Sequence, residues 1–197
     1  MKKHTVATFL KAPIRGKVKT RLAKDVGEEK ALAVYQSMVE AQLARLPEDW
    51  EVEIHYTPAE EECKMREWLG KRYTYLAQAD GDLGQRLRAG IAGAFERGAE
   101  VVCAIGGDCP KLDKKHFLQT LEVLQRNGAD CVFGPCADGG YYLVGMNRPL
   151  PQLFEDVPWS SLETLRASLQ RAKEFSIQCH LLQELPDVDT IEDLRHL

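Results

Sequence analysis

The sequence predicts an α/β protein built on a mostly parallel sheet with helices on both faces. Short β-rich runs alternate with amphipathic helical stretches along the whole chain, the run Val101–Ile105 is uniformly apolar, and glycine, proline and aspartate gather where the runs end. With 197 residues and 44% hydrophobic content there is material for one well-buried core and little for two, so a single domain over residues 1–197 is expected. A net charge of -4 gives no reason to expect a polyanionic partner, which sets aside nucleic acid and anionic membranes. No apolar run approaches the roughly 20 residues that cross a bilayer. The start MKKHTVATFL leads into a strand pattern with no cleavage signal, so a cytoplasmic location is expected.

Taken in order, Thr5 to Leu10 reads as the first strand, followed by a loop. Asp25 with Glu28 has the form of a capping box for a helix carrying Ala31, Val34, Tyr35 and Met38 at helical spacing. Glu51 to Tyr56 is the second strand, after which Thr57, Pro58 and Glu60 read as cap, first helical position and early acid of another helix. Tyr73 to Ala77 is a third strand, and the loop ADGDLG precedes a helix from about Gln85 to Arg97. Val101 to Ile105 ends in GGDCP, a forced turn, and Asp113 caps a helix that stops at Asn127 and Gly128. Asp130 to Pro135 and Tyr141 to Met146 are strands around CADGG. Ser160 with Glu163 caps a further helix, Ser176 to Leu182 is a late strand, and Asp189 with Glu192 opens a short terminal helix. Six cysteines show no two-residue spacing, so buried reduced thiols are expected rather than zinc or redox chemistry. The five histidines have no ligand spacing either.

In open α/β sheets ligands lie beyond the carboxyl ends of the strands. The loop after the first strand, KAPIRGKVKTRLAK, concentrates Lys11, Arg15, Lys17, Lys19, Arg21 and Lys24 in an otherwise acidic chain. A glycine-containing loop with several cations suits a di- or triphosphate, and Lys11, Pro13, Gly16, Lys17, Lys19 and Arg21 form the candidate phosphate-binding set. The alternative is a solvated charged face. It is not a Walker A loop, because Val18 stands where the hydroxyl is needed, and GxGxxG is absent as well.

Asp108, at the end of the buried strand, is placed to hold a hard cation such as Mg2+ or Mn2+, the alternative being a turn aspartate capping local amides. Asp138 in ADGG either binds an acceptor, as a base, or belongs to an ordinary hairpin turn. PDVDT offers Asp187 as a second metal ligand, with Asp189 read as an N-cap. Gly84 and Arg86, in ADGDLGQRL, are candidates to receive a phosphate or a hydroxyl-rich group at a helix start, against the alternative of a capped turn. Asp108, Asp138 and Lys19 are the candidate catalytic residues.

Through KAPIRGKVKTRLA, GDLGQRL, GGDCPKL, GPCADGGYYLVGM, DVPWSSLETL and LPDVDT, nearly its whole length, the chain resembles the glycosyltransferase-A-like nucleotide-diphospho-sugar transferase superfamily. In particular it resembles the small bacterial radical-SAM/selenodomain-associated transferases. The resemblance implies a Rossmann-like sheet, a nucleotide over the first loop, a divalent metal on Asp108, and glycosyl transfer from a nucleotide-sugar to a small acceptor. Such folds usually carry a DxD pair, whereas this chain has GGDCP with one aspartate. Guanylyl- and cytidylyltransferases of cofactor biosynthesis share the fold and the basic loop, so nucleotidyl transfer with loss of pyrophosphate is the alternative. A non-catalytic nucleotide sensor is a third reading, and a homodimer stays open.

Overall fold

The computed structural model describes residues 3–126 and 128–197. Among these, seven strands form one sheet: β1 (His4–Lys11), β2 (Glu51–Thr57), β3 (Thr74–Ala77), β4 (Val101–Ile105), β5 (Cys131–Pro135), β6 (Tyr141–Met146) and β7 (Cys179–Leu181). Their order is β3-β2-β1-β4-β6-β5-β7, and only β6 runs antiparallel to its neighbours. The carboxyl ends of the other six therefore share one edge. Between β1 and β4 the strand order reverses direction, which opens a crevice where such sheets bind ligands.

The helices are α1 (Thr20–Val26), α2 (Glu28–Leu43), α3 (Glu62–Leu69), α4 (Leu83–Glu96), α5 (Lys114–Gln125) and α6 (Thr164–Glu174). One face of the sheet buries Val6, Leu10 and Ile105 against Tyr35, Val39, Met65 and Phe117 of α2, α3 and α5. The other buries Ala7, Val102 and Phe133 against Leu87 and Ile91 of α4 and Ala172 of α6. The result is a three-layer sandwich with helices on both faces, as the alternating pattern predicts. All five side chains of β4 are buried, which accounts for its unbroken apolar run.

Local chemistry departs from the sequence reading at several element ends. Asp25 is no cap: the basic stretch already becomes helical at Thr20, because Leu22 is fully buried and fastens α1 to the core. Gly27 then separates α1 from α2. Thr57 does not cap a helix, because its backbone belongs to β2 opposite Lys11 and its carbonyl accepts from Ala12 N at 2.8 Å. Pro58 instead precedes a 3-10 turn, Ala59–Glu61, that leads into α3. α4 starts two residues early, since Asp82 and Gln85 form a reciprocal capping box. Asp113 caps α5 as expected, accepting from Lys115 N at 3.0 Å. That helix closes at Gln125 with Arg126 behind it, and the predicted stop at Asn127 lies outside the described residues.

Neither Ser160 nor Asp189 caps a helix. Ser161 Oγ accepts from Glu163 N near the start of α6, and the terminal segment is a 3-10 turn, Glu192–His196. There Asp193 folds back on the segment before the turn, accepting from the backbone N–H groups of Asp189 and Thr190. The late strand shortens to Cys179–Leu181 because only those residues pair with β5.

Phe133, fully buried with its ring 5.0 Å from that of Tyr141, is at the centre of the second core face. Phe133→Ala is expected to cost about 3–5 kcal/mol in urea denaturation. Leu162→Ala, at a side chain 76% exposed, should stay within about 0.5 kcal/mol.

Candidate active site at the carboxyl edge

Three segments meet in the crevice between β1 and β4. The basic loop leaves β1, GGDCP leaves β4, and the segment after β7 turns back across the same edge. That last segment is laid down by backbone bonds: Leu182 N to Phe133 O (2.9 Å), Leu185 N to Pro135 O (3.0 Å) and Val188 N to Asp108 O (3.0 Å). Asp187 and Asp189 thereby arrive beside Asp108, far away in sequence.

Lys19 ties the three together. It occupies the N-cap of α1 in a left-handed conformation, with φ of 46°. Its ammonium donates to Val188 O at 2.6 Å and to Asp189 Oδ1 at 2.9 Å, and it forms an ion pair with Asp108 Oδ1. Only 4% of the side chain is exposed. Burial pulls its pKa down, but the Asp108 and Asp189 carboxylates more than offset this and hold it above the ordinary lysine value. It is a permanent buried cation. Arg21, 70% exposed, lies 3.6 Å from the other Asp189 oxygen and keeps most of its guanidinium in solvent.

Asp187 is the opposite case. Burial first, then the charge of Asp138, then those of Asp189 and Asp108, raise its carboxyl to about 6. Oxygens of Asp138 and Asp187 and the thiol of Cys136 lie within 4.8 Å of one another. The donor set fits a hard divalent cation through its two carboxylates. Cys136 is the poor member, because burial and then Asp187 push its thiol far above the ordinary range, and a neutral thiol is no ligand for Mg2+. Asp108, half exposed, spends one oxygen on Lys19.

Other sequence candidates have more structural duties. Lys11 closes β1, its backbone N–H and carbonyl both bonded to the Tyr35 hydroxyl (3.1 and 2.8 Å), and its side chain is exposed. Pro13 and Gly16 shape the loop and Lys17 is exposed on it, while Arg15 pairs with Glu28 at 3.2 Å. Arg86 staples the ADGD turn through Gly81 O at 3.0 Å. Asp138 belongs to a hairpin turn, its Oδ1 accepting from Gly140 N at 2.8 Å, and its side chain is exposed.

The glycines are the surprise. A Cβ on Gly84 would come within 2.5 Å of Phe154 O and 2.7 Å of Trp159 Nε1, and one on Gly139 would overlap the Leu162 backbone. Both glycines make room for the protein's own 154–162 segment rather than for a ligand. The sequence reading missed that segment's role in the site and assigned Asp189 to a cap. The sign that corrects the latter is Asp193, three residues beyond Thr190 and able to fold back on the segment before the turn.

A mostly parallel sheet covered by helices on both faces, its strand order reversing between β1 and β4, has the architecture of the Rossmann-like, glycosyltransferase-A-like class of fold. The chain belongs to the bacterial family described as "Uncharacterized protein conserved in bacteria (DUF2064)", whose model matches residues 40–161. A protein of Desulfovibrio desulfuricans G20, provisionally named a nucleotide-diphospho-sugar transferase, is 32% identical over 98% of this chain and 85% of its own, with a TM-score of 0.92. CMP:2-keto-3-deoxy-manno-octonic acid synthetase complexed with CTP has a TM-score of 0.61 at 13% identity over 98% of this chain and 95% of its own. Rv0371C of Mycobacterium tuberculosis H37Rv, in complex with manganese, has a TM-score of 0.61 at 14% identity over 99% and 97%. The last two share the fold alone. No curated protein matches in sequence.

Because folding raises the Asp187 carboxyl, the folded state holds that proton more tightly than the unfolded chain does. The stability associated with the protonated form is present below the unfolded value near 4 and is lost as pH rises through about 6. Asp187→Asn should therefore stabilise the protein at pH 7.5, by about 1–2 kcal/mol after discounting for partial solvent screening. The gain should shrink toward pH 4.5, as read from urea denaturation at both pH values.

Proposed function

We propose that residues 1–197 form a single metal-dependent transferase domain that binds a nucleotide-diphospho-sugar and passes the glycosyl group to a small acceptor. One observation carries the reading: a buried, fully paired Lys19 beside the Asp138–Asp187 carboxylates, at the switch point of this fold. The family relationship to a protein named for nucleotide-diphospho-sugars supports it, and CTP and manganese in two fold neighbours are consistent with it.

In this reading Lys11, Lys17 and Arg21, whose side chains are exposed around the crevice, contact the diphosphate. Lys19 acts from beneath by fixing Asp108 and Asp189. Asp138 and Asp187, with the Asp108 oxygen that Lys19 does not engage, would hold Mg2+ or Mn2+. The metal supplies charge neutralisation for the leaving nucleoside diphosphate. An acceptor oxygen forms a bond to the anomeric carbon, the bond from that carbon to the phosphate oxygen breaks, and the nucleoside diphosphate leaves with the electron pair. The acceptor proton passes to solvent. Catalysis is then mainly positioning and electrostatics. No described helix is long and apolar enough to cross a membrane, and nucleic acid and membrane partners have no part in this reading.

Nucleotidyl transfer is the second reading, favoured by the same loop's capacity for a triphosphate and by fold neighbours that include a CTP complex. The two differ in product: nucleoside diphosphate for glycosyl transfer, pyrophosphate for nucleotidyl transfer.

Thermal unfolding against nucleotide-sugars and nucleoside triphosphates, each with and without Mg2+ or Mn2+, tests the proposal. A nucleotide-sugar at 100 times its dissociation constant is expected to add about 2.7 kcal/mol, with the metal present. The double variant Asp138→Asn, Asp187→Asn should lose the metal-dependent part. Arg21→Met should weaken binding about tenfold, as expected for one charge-assisted contact, while Lys114→Met with Lys115→Met should not. Stabilisation by a triphosphate alone, with pyrophosphate as product, would shift the assignment to nucleotidyl transfer. Tight binding without turnover would indicate a sensor.

A further inference from the structure

We propose that Gln42 and Arg45, on the last turn of α2 and just past it, are positioning residues for the loop that carries Asp108. Gln42 is 1% exposed, and its Nε2 donates to Gly106 O at 2.6 Å. Arg45 NH1 donates to Pro110 O at 2.5 Å. The two carbonyls stand two residues before and two residues after Asp108, so the aspartate is suspended between two backbone points gripped from the same helix end.

The remaining contacts point the same way. Between the grips, Gly107 is pressed so close that a Cβ there would meet Leu10 and Val39 side chains at 2.8 Å each. Tyr35, seven positions before Gln42 and on the same face of α2, holds the backbone of Lys11 at the start of the basic loop. One helix thus sets the spacing between the two loops whose side chains, Lys19 and Asp108, must meet.

Gln42 is an unusual choice for a buried helix position. Its Oε1 has no hydrogen-bond partner in the structure, and a leucine or methionine would fill the space without an unmatched oxygen. The amide N–H makes a bond to Gly106 O that an apolar side chain of the same size cannot. Arg45 supplies the second grip from the surface, where its side chain adds little to the core.

The consequence for function rests on the transferase reading above, but the positioning itself does not. Three variants test it: Gln42→Met, which keeps the volume and removes the donor; Arg45→Met; and Arg45→Lys, which keeps a donor. Ser37→Ala, on the exposed side of α2, is the control. The readouts are amide hydrogen exchange of the peptide spanning 106–111, affinity for Mn2+ alone by electron paramagnetic resonance, and the unfolding midpoint.

The expected result is about tenfold faster loop exchange and about tenfold weaker Mn2+ binding in Gln42→Met. Smaller changes of the same sign are expected in Arg45→Met, and near wild-type behaviour in Arg45→Lys and Ser37→Ala. Should Gln42→Met lose cooperative unfolding, Arg45→Met decides the question, because its site is exposed. Unchanged loop exchange and Mn2+ affinity in both methionine variants, with or without a lower midpoint, would make these residues structural only and overturn the proposal. A wild-type protein that binds no Mn2+ while Gln42→Met still loosens the loop would support the positioning role and overturn the metal reading instead.

Discussion

An ammonium group taken out of water needs its charge matched on the spot, and Lys19 finds Asp108, Asp189 and the Val188 carbonyl around it. The three partners come from separate parts of the chain, and the Val188 N to Asp108 O bond helps to bring them together. Asp108 is delivered by β4, and Val188 and Asp189 by a segment 169 and 170 residues beyond the lysine. Removing any one would leave a buried charge under-compensated, so the basic loop, the GGDCP turn and the chain after β7 hold one another in register. The site is therefore the junction of the fold's two halves as well as the place where its charges gather.

That junction depends on sheet topology. β5 runs in the same direction as β1 and β4 and ends on their edge, and the short turn into the antiparallel strand β6 stays there. The CADGG turn thus opens beside GGDCP, and Asp138 reaches Asp187. Had β6 been parallel, a long crossover to the opposite edge would have replaced the short turn.

Much of this architecture is legible in the sequence. β4 and β6 match their predicted bounds and the other strands overlap theirs, because apolar runs of this length between glycine and proline signals leave few alternatives. Helix starts were harder to read. Asp82 and Asp113 cap where the pattern allows, but Asp25, Thr57 and Ser160 fit the same pattern and do not cap. In each failure a longer-range demand prevails: burial of Leu22, pairing of Thr57 in the sheet, or docking of the 154–162 segment on Gly84 and Gly139. The same limit applies to the site. The basic loop and the aspartates are visible as residue types, whereas which carboxylate faces Lys19 and which faces Asp138 is decided by contacts between distant parts of the chain.

The cluster is also not what stability alone would select. Four carboxylates, Asp108, Asp138, Asp187 and Asp189, crowd one edge, and the single buried cation among them is already shared by two. Asp187 bears the imbalance, its carboxyl raised to about 6 by burial and by its neighbours. Folded proteins tolerate such repulsion where a ligand relieves it. A divalent cation between Asp138 and Asp187 would remove the repulsion and gain two hard oxygen ligands at once. The backbone would need little rearrangement, because Lys19 already fixes the Asp108 and Asp189 flanks from within. In the proposed reading, an over-acidic pocket whose own cation is already engaged takes a further cation from solution. The exposed Arg21, Lys11 and Lys17 would then face the anion that such a cation brings with it.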